Sequence, residues 1–118
     1  MLIERVEILK AACCIAGADG EISQRERESL KKMADEIGVG AASLDAMMDL
    51  AITDEKFRGS QLRMVHKDPA GVFETLYRMA RLDPDVPTPE RKLLTHFGRK
   101  LGLDTDQMNE IIRRAHGV

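Results

Sequence analysis

The sequence predicts an all-α fold, a single-domain helical bundle of about six to seven helices built from two pseudo-symmetric copies of a helix–acidic turn–helix–helix unit. Three observations predict it. Apolar residues recur at helical spacing along nearly the whole chain, helix-start and helix-stop residues punctuate that spacing, and the two halves overlay at a constant offset of 64 with no gap. No stretch alternates apolar and polar residues with β-branched enrichment, so strands are not expected.

The first helix is expected near 2–18. Residues 11–18 read Ala-Ala-Cys-Cys-Ile-Ala-Gly-Ala, apolar on every side. A helix without a polar face is one surrounded by others, which places this one at the centre, its small residues allowing close approach. The second, over 23–37, opens at a capping box: the Ser23 hydroxyl and the Glu26 carboxylate each satisfy an orphan backbone N–H. Leu30, Met33, Ala34 and Ile37 give it an apolar face at i, i+3, i+4 and i+7, with Lys31, Lys32, Asp35 and Glu36 opposite. Gly38 stands just past that face, where a left-handed residue closes a helix.

A third helix covers 42–52, and 53–67 reads as a loop carrying a short helix around 61–65. Val72, Phe73, Leu76, Tyr77 and Ala80 make the face of a helix over 68–82. Thr88 followed by Pro89 starts another over 88–101, with proline at the first helical position. Leu94, Phe97, Gly98 and Leu101 form its face and Gly102 its stop. Ile111, Ile112 and Ala115 mark a last helix over 104–116.

At the offset of 64, Asp19 falls on Asp83, Ile22 on Val86, Glu26 on Glu90, Arg27 on Arg91, Leu30 on Leu94 and Gly38 on Gly102. Met33 meets Phe97, Ile37 meets Leu101, Met47 and Met48 meet Ile111 and Ile112, and Ala51 meets Ala115. Any two amphipathic helices share apolar positions. Shared Asp, Glu and terminal Gly positions do not follow from amphipathicity and mark a duplicated unit, with repeats over about 2–52 and 68–116 of one domain spanning 1–118.

Bulk composition limits the function classes. With 118 residues there is room for one core. Apolar residues at 43 % and charged residues at 32 % are the balance of a globular protein rather than a disordered one. A net charge of −2 lacks the basic excess that phosphate neutralisation needs, so no nucleic-acid partner is expected. Residues 1–59 carry −4 and residues 60–118 carry +2. No segment approaches the roughly 20 apolar residues of a membrane span, and no secretion leader is visible. Cys13 and Cys14 are neighbours and cannot staple distant segments. A reduced, cytoplasmic protein is the expectation, with peripheral membrane association and oligomeric state left open.

One constellation carries candidate chemistry: Asp19-Gly20-Glu21-Ile22-Ser23-Gln24-Arg25-Glu26, echoed as Asp83-Pro84-Asp85-Val86-Pro87-Thr88-Pro89-Glu90. With Gly20 at the sharp turn, Glu26 falls on the bidentate position of a calcium-binding EF-hand loop. The first two ligand positions would then be Ile15 and Gly17, which offer no side-chain oxygen, so an EF-hand is rejected.

These residues resemble the TerB-like domains, named for a tellurite-resistance protein and found also in membrane-anchored J-domain co-chaperones. The shared pattern is an apolar helix ending in Ala18-Asp19-Gly20, then Glu21-Ile22-Ser23 to Glu26, and a helix closing at Ile37-Gly38-Val39. A second pass runs from Asp83 to Leu103, so the resemblance spans nearly the whole chain. It implies an all-helical fold, cytoplasmic stress-related adaptor duty with protein partners, and a metal site built from Asp19, Glu26, Asp83 and Glu90, with Glu21 and Asp85 as further candidates. Oxygen-only donors of this kind suit magnesium or calcium. The second pass departs from the pattern, with Pro84 in place of the glycine and Pro87 in place of the serine.

A purely structural account competes. Asp-Gly is a common turn, Glu26 already serves the capping box, and Glu90 near a helix start is favoured by the helix dipole. Thr88-Pro89-Glu90-Arg91 puts Arg91 at the capping-box position, yet a Glu still aligns with Glu26. On this account the domain is a metal-free interaction scaffold. Cys13 and Cys14 read as buried thiols rather than reactive ones, and Met33, Met47, Met48 and Met108 as packing residues. Arg99, Lys100, Arg113 and Arg114 read as solvated helix faces and dipole partners. His66, His96 and His116 are too scattered for zinc. No Ser or Cys has an identifiable His partner and no glycine-rich phosphate loop exists, so an enzyme is not expected.

Overall fold

The computed structural model describes residues 2–82 and 86–115. Among them lie seven helices and no strand: α1 (Leu2–Gly17), α2 (Gln24–Ile37), α3 (Ala41–Thr53), α4 (Glu55–Gly59), α5 (Pro69–Ala80), α6 (Thr88–Lys100) and α7 (Thr105–Ala115). They pack into one globule measuring 38 × 32 × 28 Å.

α1 is the axis of the bundle and packs against α2, α3, α4, α5 and α6. Every residue from Ala11 to Gly17 is buried, as a helix with no polar side requires. The small residues set the spacing: a Cβ at Gly17 would stand 3.1 Å from the Ala51 carbonyl carbon and oxygen, so α1 and α3 approach backbone to backbone there. Leu30 of α2, Leu76 of α5 and Phe97 of α6 complete the centre of the core.

The repeat is visible in the backbone. α2 and α6 begin at residues 24 and 88, and α3 and α7 at 41 and 105, the offset of 64 in each case. α2 closes with the Gly38 N–H donating to the Asp35 carbonyl (3.3 Å) and the Val39 N–H to the Ala34 carbonyl (2.9 Å). α6 closes in the same way, Gly102 to Arg99 (2.9 Å) and Leu103 to Gly98 (3.0 Å). These are Schellman closures, and both glycines are left-handed, with φ of 80° and 83°.

Two expectations are corrected. The short helix between the repeats lies at Glu55–Gly59, and residues 61–65 are not helical. Asp54 causes this: its carboxylate accepts from the Phe57 N–H (3.1 Å) and starts α4 directly after α3. Residues 60–68 then form a non-helical connection, tied to both repeats, that buries Gln61, Leu62 and His66. The Glu7 carboxylate on α1 accepts from the Arg63 N–H (3.1 Å) and the Met64 N–H (3.3 Å) and meets His66 Nε2 at 2.7 Å. On the other side, the Lys100 ammonium of α6 donates to the Gly59 carbonyl (3.2 Å) and to that of Gln61. Desolvation, with Arg63 nearby, lowers the pKa of Lys100, and Glu7 partly offsets this. Lys100 is therefore not simply a solvated dipole partner.

The second correction concerns the start of α6. Its first residue is Thr88 and its N-cap is Pro87, so proline occupies the second helical position and Glu90 the third. Glu90, not Arg91, thus holds the capping-box position, in register with Glu26.

Candidate functional site

In the first repeat the acidic turn is built by local bonds. Gly20 takes φ 96°, a value that side-chain-bearing residues rarely adopt, and the chain reverses there. The exposed Asp19 accepts from the Glu21 N–H through Oδ1 (3.3 Å), and Glu21 is exposed as well. The capping box forms as expected: the Glu26 N–H donates to Ser23 Oγ (3.2 Å), and the Ser23 N–H donates to Glu26 Oε1 (2.9 Å). Glu26 is only 3 % exposed.

The second repeat places Glu90 at the equivalent helix position, 1 % exposed. Its local chemistry differs in one respect. Pro87 has no N–H and no side-chain oxygen, so the reciprocal bonds that hold Glu26 cannot form. Asp83 and Asp85 lie outside the described residues. Of the acidic set, then, the structure buries Glu26 and Glu90 and leaves Asp19 and Glu21 on the surface. Among the described residues, no three His, Cys, Asp or Glu side chains are grouped closely enough to hold a metal.

Cys13 and Cys14 are fully buried, as free thiols. Burial pushes the Cys13 thiol up to about 12. It raises Cys14 as well, with the neighbouring Cys13 adding and Arg58 opposing. Neither is poised as a nucleophile.

Two surface grooves were not foreseen. One, of about 310 Å³, lies between α2 and α3 and is lined by Arg27, Lys31, Glu28, Asp35, Asp45, Leu44 and Met48 among others. The other, of about 550 Å³, lies between α6 and α7 and reaches α5; Arg91, Arg99, Phe73, Leu94, Met108 and Ile112 are among its walls. They are the same groove in the two repeats. Arg27 maps to Arg91, Asp35 to Arg99, Leu44 to Met108, Asp45 to Asn109 and Met48 to Ile112. Their charges differ: among the described residues, the ionised lining side chains sum to −1 in the first and +2 in the second. The sequence held a signal for this in the Arg91, Thr95, Arg99 stripe at i, i+4 and i+8, which is a helix face. Arg99, exposed in the last turn of α6 as expected, is also a wall of this groove.

A helical domain with matching grooves between α2 and α3 and between α6 and α7 belongs to the all-α class of helical bundles. Within that class, residues 3–49 match the family model described as Tellurite resistance protein TerB. The match runs through α1, α2 and most of α3, so the first repeat is similar to that family's model over the stretch that holds its acidic turn and closing glycine. No curated protein and no solved structure matches the chain. Among the described residues, no helix is long and apolar enough to cross a membrane.

Proposed function

We propose that this chain is a non-enzymatic, tellurite-resistance-like stress domain of the cytoplasm, an adaptor for protein partners that takes a divalent cation, magnesium or calcium, at its acidic turns. The ligands would come from Asp19, Glu26, Asp83 and Glu90, with Glu21 and Asp85 alongside. The burial of Glu90 carries this reading. Capping accounts for a buried glutamate at position 26, but Pro87 removes the same account at position 90. Glu26 and Glu90 thus stand buried at the same position of the two repeats, each a few residues after an acidic turn whose carboxylates would supply further oxygen donors. The donor set fits a hard cation, being all oxygen.

A metal-free scaffold is the second reading, and the first repeat favours it. There the Ser23–Glu26 capping box and the bond from the Glu21 N–H to Asp19 give the acidic residues structural work without any ion.

Thermal unfolding in sodium against magnesium or calcium at matched ionic strength separates the two. With the cation at a hundred times its dissociation constant, wild type gains about 2.7 kcal/mol. The Asp19→Asn/Asp83→Asn variant gains little, since two ligands are lost. If both proteins melt alike in every salt, the scaffold reading stands and the cation is discarded.

A further inference from the structure

We propose that the groove between α6 and α7 is a docking site for an acidic peptide segment with apolar anchors, presented by a protein partner. The inference rests on the binding-module reading and names the surface and the partner's chemistry. It is independent of the cation.

The argument begins with the pair of grooves. Duplication supplied two, and the charged residues of the first offset one another: Glu28, Asp35 and Asp45 stand with Arg27 and Lys31. Its arginine is also engaged, Arg27 Nε donating to the Ile22 carbonyl (3.3 Å) and a terminal nitrogen meeting Met48 Sδ (3.8 Å). In the second groove Arg99 replaces the acid of position 35 and Asn109 that of position 45, and among the described residues no acidic side chain lines it. Neither Arg91 nor Arg99 enters an ion pair among the described residues. The groove therefore presents two guanidinium groups, outside any ion pair among the described residues, above an apolar floor of Phe73, Leu94 and Met108, all buried. That combination is complementary to a ligand both anionic and apolar.

Spacing selects among such ligands. Arg91 and Arg99 are eight residues apart on one helix, roughly 12 Å along its axis. A single-headed amphiphile satisfies one of them. An extended segment spans the same interval in about four residues, placing an acid at each arginine and apolar side chains between. The 550 Å³ volume accommodates side-chain anchors rather than a whole helix. Asn109, on the facing wall, offers an amide that can pair with a peptide group.

The test uses a capped synthetic peptide of leucines flanked on both sides by aspartates, titrated into the full chain and followed by amide chemical shifts and fluorescence anisotropy. Shifts are expected on α6 and α7. The same peptide with lysines for aspartates is expected not to bind, and decanoate not to displace the acidic one. Arg91→Glu/Arg99→Glu should weaken binding roughly tenfold or more. Both positions are exposed, so an unchanged melting temperature will show that the fold is intact. Equal affinity in wild type and variant, shifts on other surfaces, displacement by decanoate, or no binding at millimolar peptide would each overturn the proposal. An overturned groove with a surviving divalent-specific melting shift would leave the cation-binding adaptor reading in place.

Discussion

In the first repeat, position 33 holds a half-buried methionine; 64 residues later the same position holds Phe97, with no exposure at all. The first helices diverge further. α1 is enclosed by five other helices, whereas α5 packs mainly on α1, α6 and α7 and keeps a polar side. Positions 13 and 14 of α1 are buried cysteines, and their counterparts on α5 are Tyr77 and the exposed Arg78. What did not diverge is the backbone of the later helices: the starts of α2 and α6 and of α3 and α7, the left-handed Gly38 and Gly102, and the Schellman bonds coincide at the offset. Duplication therefore held fixed the positions that dictate chain direction. The side chains were free to specialise, the first repeat supplying the central helix and the second a larger aromatic share of the core and a cationic groove.

The largest effect expected from this division is in the core. Phe97→Ala should cost about 3–5 kcal/mol, because a fully buried ring leaves a cavity that its neighbours cannot fill. Met33→Ala, at the matched position, should cost about 1–2 kcal/mol, since the methionine is partly solvated already. Urea unfolding of the two variants measures the contrast. Equal losses would mean that the repeats share the core evenly and that the asymmetry is one of residue names alone.

The cysteines give a second contrast, now in pH. Burial raises the Cys13 pKa from 9.0 to about 12, and Cys14 is raised too. An acid whose folded pKa lies above its unfolded value stabilises the fold fully below the unfolded pKa, here about pH 9. That stability is lost as the pH rises from there toward the folded value. Each thiol should contribute a fall of about 1.4 kcal/mol per pH unit within the window. Cys13→Ala/Cys14→Ala should flatten the alkaline limb of the stability profile. In wild type, thiol reagents should label slowly at neutral pH and rapidly in denaturant. Fast native labelling would put the thiols within reach of oxidants and return a redox role to α1.

Much of the fold was legible because it is written locally. The apolar run at 11–18, the Ser23–Glu26 box and the closing glycines are each decided by neighbours within a few residues, and all stand where the sequence put them. The connection over 60–68 was not legible, because Glu7 holds it from 56 to 59 residues away and Lys100 from 39 to 41. Asp54 could have revealed α4, being an N-cap residue directly after an apolar helix. In the site, the acidic turn and the matched positions of Glu26 and Glu90 were legible, but their burial was not, and the N-cap at Pro87 was misplaced by one residue. The groove escaped notice because its walls come from three helices. Only the repeat offset, applied to charge instead of to apolar positions, would have pointed to it.

The smallest effect expected is also the strictest test of equivalence. Gly38 and Gly102 have open space around the position of a Cβ, with nothing within 4 Å in either case. A clash with neighbouring groups is thus absent, and alanine at either site meets only the cost of holding φ near +80°. That cost is about 1 kcal/mol, arising between the new Cβ and its own backbone. Because the φ values and closing bonds agree, the two substitutions should destabilise by the same amount within a few tenths of a kcal/mol. They close separate helices, and neither Cβ would meet another group, so the double variant should lose about the sum. Denaturant unfolding of the two singles and the double reads all three values. A marked inequality would show that the closures differ in some feature beyond φ, and the repeats would then be alike in trace but not in energetics. A double variant losing far more than the sum would indicate that the two helix ends are coupled through α1, against which both α2 and α6 pack.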